Sequence, residues 1–193
     1  MSSEGTSTAA SGEVRVDLPD GVQARVEKRM LIVKGPQGEV HRPVPLGALE
    51  VRPAGKTVTL ALKVPSERKK ARALINAWER HVLNMATGVT HGFQARMKVV
   101  AAHFPMKVAV KDHAVVIENF LGEKYPRTAP ILPGVEAKVE GEFVILSGSD
   151  IERVGQSAAN IERTTKIRDY DPRVFQDGIY IIEKARPRAA EGA

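Results

Sequence analysis

From Val26 the chain reads as short runs of alternating apolar and polar positions broken by glycine, proline and pairs of polar residues. "VEKRMLIVKGPQGEVHRPV" (26–44) is such a stretch, and "VKDHAVVIENFLGEKYPRT" (110–128) repeats its pattern at an offset of 84. Val26 falls on Val110, Leu31 on Val115, Val33 on Ile117, Gly38 on Gly122 and Glu39 on Glu123. Period-two alternation with this punctuation predicts antiparallel hairpins. Each copy is followed by a second apolar strand, "KTVTLALKV" (56–64) and "EFVILSG" (142–148), and then by a helical pattern.

The first helix is expected to begin at Ser66, after Pro65. Ala71, Leu74, Ile75, Trp78, Val82 and Met85 form its apolar face, and Gly88 is placed just past its end as a C-cap. Arg68, Lys69, Arg72 and Arg80 lie on its other face, either as solvated surface or as an RNA or protein contact.

The second helix lies in "LSGSDIERVGQSAANIE" (146–162). Ser149 suits the N-cap with Glu152 completing a capping box, and Ile151, Val154, Ala158 and Ile161 recur at helical spacing. Gly155 and Ala159 sit one turn apart beside that stripe. A glycine inside a helix costs about 1 kcal/mol relative to alanine, so a packing reason is expected: close approach to the helix's own sheet, to another backbone, or to both.

These elements predict an α+β chain of two tandem similar domains, each an antiparallel sheet with one helix packed on a face. Residues 1–13 read as a mobile tail, 14–92 as the first domain, 93–185 as the second and 186–193 as a flexible basic end, with the boundary near Gly92. After the second helix the chain passes Asp169-Tyr170-Asp171, a turn around Pro172, and reaches a last strand, Ile179–Lys184, preceded by Asp177-Gly178.

Composition narrows the function. The chain has 193 residues, 42% of them hydrophobic, and a net charge of +6, a balance that suits a polyanionic partner. It has no cysteine, which excludes disulfides, thiol catalysis and cysteine-ligated zinc. No basic leader with an apolar run opens the chain, and no apolar run approaches the roughly 20 residues that cross a bilayer. A soluble cytoplasmic protein without membrane contact is expected.

Catalytic patterns do not appear. The Gly-Ser turn at Ser147–Asp150 has neither the Lys-Ser/Thr pair of a P-loop nor the glycine spacing of a dinucleotide site, and Asp150 and Glu152 already place negative charge there. "SGSDI" lacks the second glycine of a nucleophile elbow. His41, His81, His91, His103 and His113 are scattered, with no metal-binding spacing. No enzyme, cofactor or metal site is expected.

Basic residues beside turns form the alternative chemistry. Arg163, Lys166, Arg168 and Arg173 follow the second helix, and Lys184, Arg186 and Arg188 close the chain, which suits phosphate contacts. Net charge does not single out this half. Residues 1–92 carry 14 basic and 9 acidic side chains, net +5, whereas residues 93–193 carry 15 and 14, net +1. Only the local clustering points to it.

"LPGVEAKVEGEFVILSGSDIERVGQSAANIE" together with "DPRVFQDGIYIIEK" resembles the L-six family of large-subunit ribosomal proteins, in its archaeal and eukaryotic branch. The V-G-Q-x-A-A core at 154–159 is the most specific mark, and the doubled layout extends the resemblance over nearly the whole chain. The resemblance implies a structural, non-catalytic protein, monomeric within the ribosome. It would bind large-subunit rRNA near the stalk base and the loop that translational GTPases touch, beside neighbouring ribosomal proteins. It also implies that the second domain is the main rRNA-binding one. Gly155 and Gln156 through Lys166 and Arg168 would lie on the RNA-facing helix and its following loop, with Arg68, Lys69 and Arg72 as a secondary contact. The alternatives are an RNA-binding factor acting off the ribosome, or a small-molecule-binding enzyme using the Ser147–Asp150 turn.

Overall fold

The computed structural model describes residues 12–45, 47–63, 69–168, 170–171 and 173–188. The tail expected over residues 1–13 thus falls almost wholly outside the described residues, as do Asp169 and Pro172 of the expected turn. The chain divides into two compact units, one ending at His91 and the other beginning at Gly92.

The first unit contains β1 (Glu13–Asp17), β2 (Gln23–Glu27), β3 (Met30–Gly35), β4 (Gly38–Pro43), β5 (Leu49–Ala54), β6 (Thr57–Leu62) and α1 (Lys69–Thr90). The second contains β7 (Phe93–Val100), β8 (Lys107–Lys111), β9 (Ala114–Glu118), a 3-10 turn (Phe120–Gly122), β10 (Arg127–Pro130), β11 (Val135–Glu140), β12 (Phe143–Gly148), α2 (Ile151–Thr164) and β13 (Gly178–Pro187). The strands of each unit divide between two sheets. They run in the orders β1-β6-β5 and β2-β3-β4 in the first unit, and β11-β12-β7-β13 and β10-β9-β8 in the second. Read strand for strand, the two halves have one topology, to which the second adds β13 on the outer edge of β7.

The repeat extends to the backbone. Lys28 and Arg29 have φ of 45° and 70°, and their counterparts Asp112 and His113 have 44° and 61°. Two successive left-handed residues make the tight hairpin turn whose twist matches the flanking strands. That turn fixes the register Glu27↔Met30 in one copy and Lys111↔Ala114 in the other. It also turns Leu31 and Val33, and likewise Val115 and Ile117, into the two cores, all fully buried.

In α1 the predicted face is buried at Ala71, Ile75, Trp78, Val82 and Met85, with Leu74 half-buried at its side. Two expectations change here. Ser66, Pro65 and Arg68 lie outside the described residues. Gly88 is not a C-cap: it is buried inside the helix, which runs to Thr90, and the left-handed glycine is Gly92 (φ 72°). The extra turn is needed because Val89 meets the β3–β4 hairpin, where its carbonyl accepts from Gln37 N–H at 2.7 Å.

In α2, Val154, Ala158 and Ile161 are buried as expected, joined by Ser157, whose hydroxyl accepts from Leu132 N–H at 3.0 Å. Ile161 packs with Leu146, Ile179 and Phe93 in the second core, where each such side chain contributes about 1.5–3 kcal/mol by leaving water. The N-cap is Asp150, not Ser149. Its backbone is extended (φ −108°, ψ 111°) and its Oδ1 accepts from Glu152 N–H at 2.9 Å. A cap at Asp150 puts Arg153 where the capping box needs an acid, and Arg153 Nε instead lies 3.4 Å from Asp150 Oδ2. Gly134 is left-handed (φ 80°) in the turn that leads into β11, near Arg153.

The last strand is longer than expected and takes in Arg186 and Pro187 of the tail assigned to 186–193, whose residues 189–193 lie outside the described ones. Arg186 pairs with Gln94 and Pro187 with Phe93, and Arg188 N–H then donates to Gly92 O at 3.0 Å. Two bulges in β13, between Ile181 and Glu183 and between Glu183 and Arg186, take up the surplus residues and let the pairing run on.

Candidate nucleic-acid interface

The C-terminal end of α2 and the start of β13 are tied together by side chains. Thr165 Oγ1 accepts from Ile179 N–H at 3.1 Å while it reaches back to the helix carbonyl of Ile161, and Glu162 Oε1 accepts from Ile181 N–H at 3.3 Å. These bonds satisfy backbone donors that a strand beginning beside a helix would otherwise leave open. From the other side, Arg127 Nη1 donates to Thr164 O at 2.7 Å. Its fork grips Glu123 at 2.8 and 2.6 Å, and its guanidinium lies 4.1 Å over the Phe120 ring. The bonds from Arg127 hold the Glu123 carboxyl below its ordinary value. Arg127 is therefore a structural arginine that fixes where the loop after α2 departs.

That loop returns to β13 through a buried carboxylate. Asp177 is fully buried, with Oδ1 accepting from His103 N–H at 2.9 Å and Oδ2 lying 2.7 Å from His103 Nδ1. Burial alone would push the Asp177 carboxyl up. The bonds from the His103 backbone and ring and from the Phe104 backbone outweigh it and leave the carboxyl below its ordinary value of 3.8. The His103 ring packs 4.8 Å from Phe175, which packs 4.8 Å from Tyr170. Asp177, which the sequence showed only as preceding the last strand with Gly178, is thus an anchor, and His103 is a structural histidine.

Between these ties lies a cleft of about 360 Å³ lined by Glu162, Arg163, Thr165, Lys166, Ile167, Phe175, Gln176 and Tyr180. Of the expected site residues, the structure brings Arg163 and Lys166 together on this cleft. Arg168 and Arg173 are exposed on the loop between its walls. The structure separates the chain-end residues from it. Tyr180 pairs with Lys98 and Arg186 with Gln94, four residues along β7, which is about 13 Å at strand rise. Lys184, Arg186 and Arg188 thus form an exposed basic row leading away from the cleft along β13, ending beside Gly92. None of these seven cations has an ion-pair partner among the described residues, whereas Arg25, Arg52, Lys56, Arg127 and Arg153 all do.

Gly155 resolves one open alternative. A Cβ added there would have no heavy atom within 4 Å, so tight packing on the sheet is not the reason for the glycine. Gln156 is exposed and its amide is bonded to Asn160 at 2.9 Å. In the first unit, Lys69, Arg72 and Arg80 are exposed on α1. The cleft's aromatic wall, Phe175 and Tyr180, was not singled out from the sequence. The two rings flank Asp177-Gly178 and follow no motif spacing, and only the helix-to-strand closure brings them beside Arg163.

Among the described residues no group of three or more His, Asp or Glu side chains could hold a metal ion, and no helix is long and apolar enough to cross a membrane. Two halves of one α+β topology, with a basic margin on the second, define a tandem-domain α+β protein. The family described as Ribosomal protein L6 matches the chain twice, over residues 18–92 and 104–178, and the chain belongs to that family. Large ribosomal subunit protein uL6 of Methanobrevibacter smithii is 44% identical over 176 residues, covering 91% of this chain and 98% of that protein. Its counterpart in Ignicoccus hospitalis is 47% identical over 173 residues (88% and 92%), and that in Methanosarcina mazei 45% over 172 (88% and 96%). The chain is accordingly a protein of the large ribosomal subunit, at home in the cytoplasmic ribosome, and not an enzyme.

Proposed function

We propose that this chain is a non-catalytic constituent of the large subunit that binds large-subunit rRNA through its second unit. The RNA face comprises the Gly155 flank of α2, the loop carrying Lys166, Arg168 and Arg173, and the basic row Lys184, Arg186 and Arg188 on β13. The observation that carries this reading is the set of exposed cations after α2 and along β13, all without ion-pair partners among the described residues, together with a helix flank where an added Cβ at Gly155 would meet nothing within 4 Å. Cations left unneutralised in the folded protein are suited to phosphate oxygens, and a bare glycine lets a backbone come close. Placement near the stalk base and the GTPase-contacting loop, with neighbouring ribosomal proteins as partners, rests on the family resemblance. The exposed Lys69 and Arg72 of α1 supply a secondary contact.

The test is the salt dependence of binding to large-subunit rRNA. Each phosphate that is no longer neutralised makes the slope of log K against log salt shallower by about 0.7–0.9. Replacing Lys166 and Arg168 together by glutamine is expected to make it shallower by about one to two. An unchanged slope overturns this RNA face and makes Lys69 and Arg72 the next residues to replace.

A further inference from the structure

We infer that the cleft between the end of α2 and the start of β13 receives a single unstacked nucleotide of the bound RNA, its base against Tyr180 and its phosphate between Arg163 and Lys166. This rests on the RNA-binding reading above and assigns to one site within it a task that phosphate binding alone does not perform.

Three observations carry it. The first is an aromatic ring held ready and left uncovered. Tyr180 is 42% exposed, yet it is not loose. Its hydroxyl donates to Gln176 O at 3.2 Å, and its ring lies on the backbone of Gly178, where an added Cβ would come within 3.1 Å of Cε2, Cζ and the hydroxyl oxygen. A fixed, solvent-facing aromatic surface is what an unpaired base stacks on, and a stacked base is recognised without regard to its sequence. The second observation is the chemistry of the walls. Ile167, Phe175 and Tyr180 are apolar or aromatic, whereas Arg163 and Lys166 are cationic and have no ion-pair partner among the described residues. Gln176 is exposed at the rim with a side-chain amide able to donate and accept. This pairing of a flat apolar surface with adjacent cations suits a base with its phosphate, and neither a plain anion nor an apolar segment would use both. The third is preorganisation. Thr165 and Glu162 already pin β13 to α2, Arg127 fixes the exit of the loop, and Asp177 anchors its return. The cleft of about 360 Å³ is therefore open before any ligand arrives, and it falls within the roughly 300–1,000 Å³ typical of small-ligand sites.

The experiment compares full-length wild type, Tyr180→Phe, Tyr180→Ala and Lys166→Gln/Arg168→Gln for binding to in vitro transcribed large-subunit rRNA across a salt series. Ultraviolet cross-linking and peptide mass spectrometry follow on the wild-type complex. Tyr180→Phe keeps the ring but loses the hydroxyl's bond to Gln176 O, so it should bind more weakly than wild type yet more tightly than Tyr180→Ala. Tyr180→Ala should bind about 5- to 150-fold more weakly, the span that losing one stacked base represents, with its salt slope unchanged because every phosphate stays neutralised. The cross-linked nucleotide should sit on the peptide that contains Phe175 or Tyr180, a readout independent of whether Tyr180→Ala folds fully. Binding of Tyr180→Ala within twofold of wild type, or cross-links confined to other peptides, overturns the cleft assignment. The RNA face itself stands if the double variant still flattens the slope, and both fall if it does not.

Discussion

Substitution of Gly155 by leucine separates the two reasons a glycine can sit inside a helix. If the residue made room for the sheet, the added side chain would overpack the second unit and cost about 1–3 kcal/mol. The structure argues otherwise. Gly155 lies on the flank of α2 beside the buried Val154 and Ala158, its φ is not in the left-handed region, and a Cβ there meets nothing within 4 Å. With no clash to offset it, the higher helix propensity of leucine should stabilise α2 by about 0.5–1 kcal/mol. For a unit of this size that raises its melting temperature by about 2–6 °C. Incorporation into large subunits should meanwhile fall, because the side chain would stand where the RNA backbone approaches. Calorimetry of the full chain gives the first quantity, and sedimentation of tagged protein with ribosomal subunits gives the second. A lowered melting temperature would refute the open flank. A stabilised variant that incorporates as wild type would refute the RNA-facing assignment of Gly155.

Two further outcomes test the scaffold. Removing the carboxylate in Asp177→Ala leaves the His103 and Phe104 donors without their acceptor and should cost about 2–4 kcal/mol in denaturant unfolding. Because the folded-state value of Asp177 lies below its ordinary 3.8, its contribution is complete above that pH and is lost as pH falls through the folded value. The wild type should therefore lose stability below about pH 4 more steeply than Asp177→Ala, and parallel pH profiles would contradict the assigned role. In the first unit, a Cβ at Gly35 would lie 2.7 Å from Val89 Cγ2 and 2.8 Å from the Val89 carbonyl oxygen. Gly35→Ala should lower the first unit's stability by about 1–3 kcal/mol, and an unchanged melt would show that α1 can shift away from the hairpin.

What the sequence determined by itself was whatever depends on neighbours along the chain. Alternation placed the hairpins around Leu31 and Val115, helical spacing picked out Val154, Ala158 and Ile161, and the repeat announced two like halves. A polar pair followed by an apolar run is enough to set a tight turn, because twist and side-chain alternation act within a few residues. The V-G-Q-x-A-A stretch pointed to the family by resemblance. Tertiary structure decided everything that needed distant residues to meet. Gly88 reads as a helix end until Val89 is seen to be required by Gly35 and Gln37, and Arg186 reads as tail until its partner Gln94 is in place. Asp177 reads only as a polar residue ahead of the last strand until His103, 74 positions away, fills its two oxygens. The cleft is the clearest case. Its cations were visible as a local cluster, but its aromatic wall was not, since Tyr180 faces Arg163 only because Thr165 and Glu162 bond the first residues of β13 to the end of α2. Periodicity records which face a residue shows, and only the closed fold records what stands opposite it.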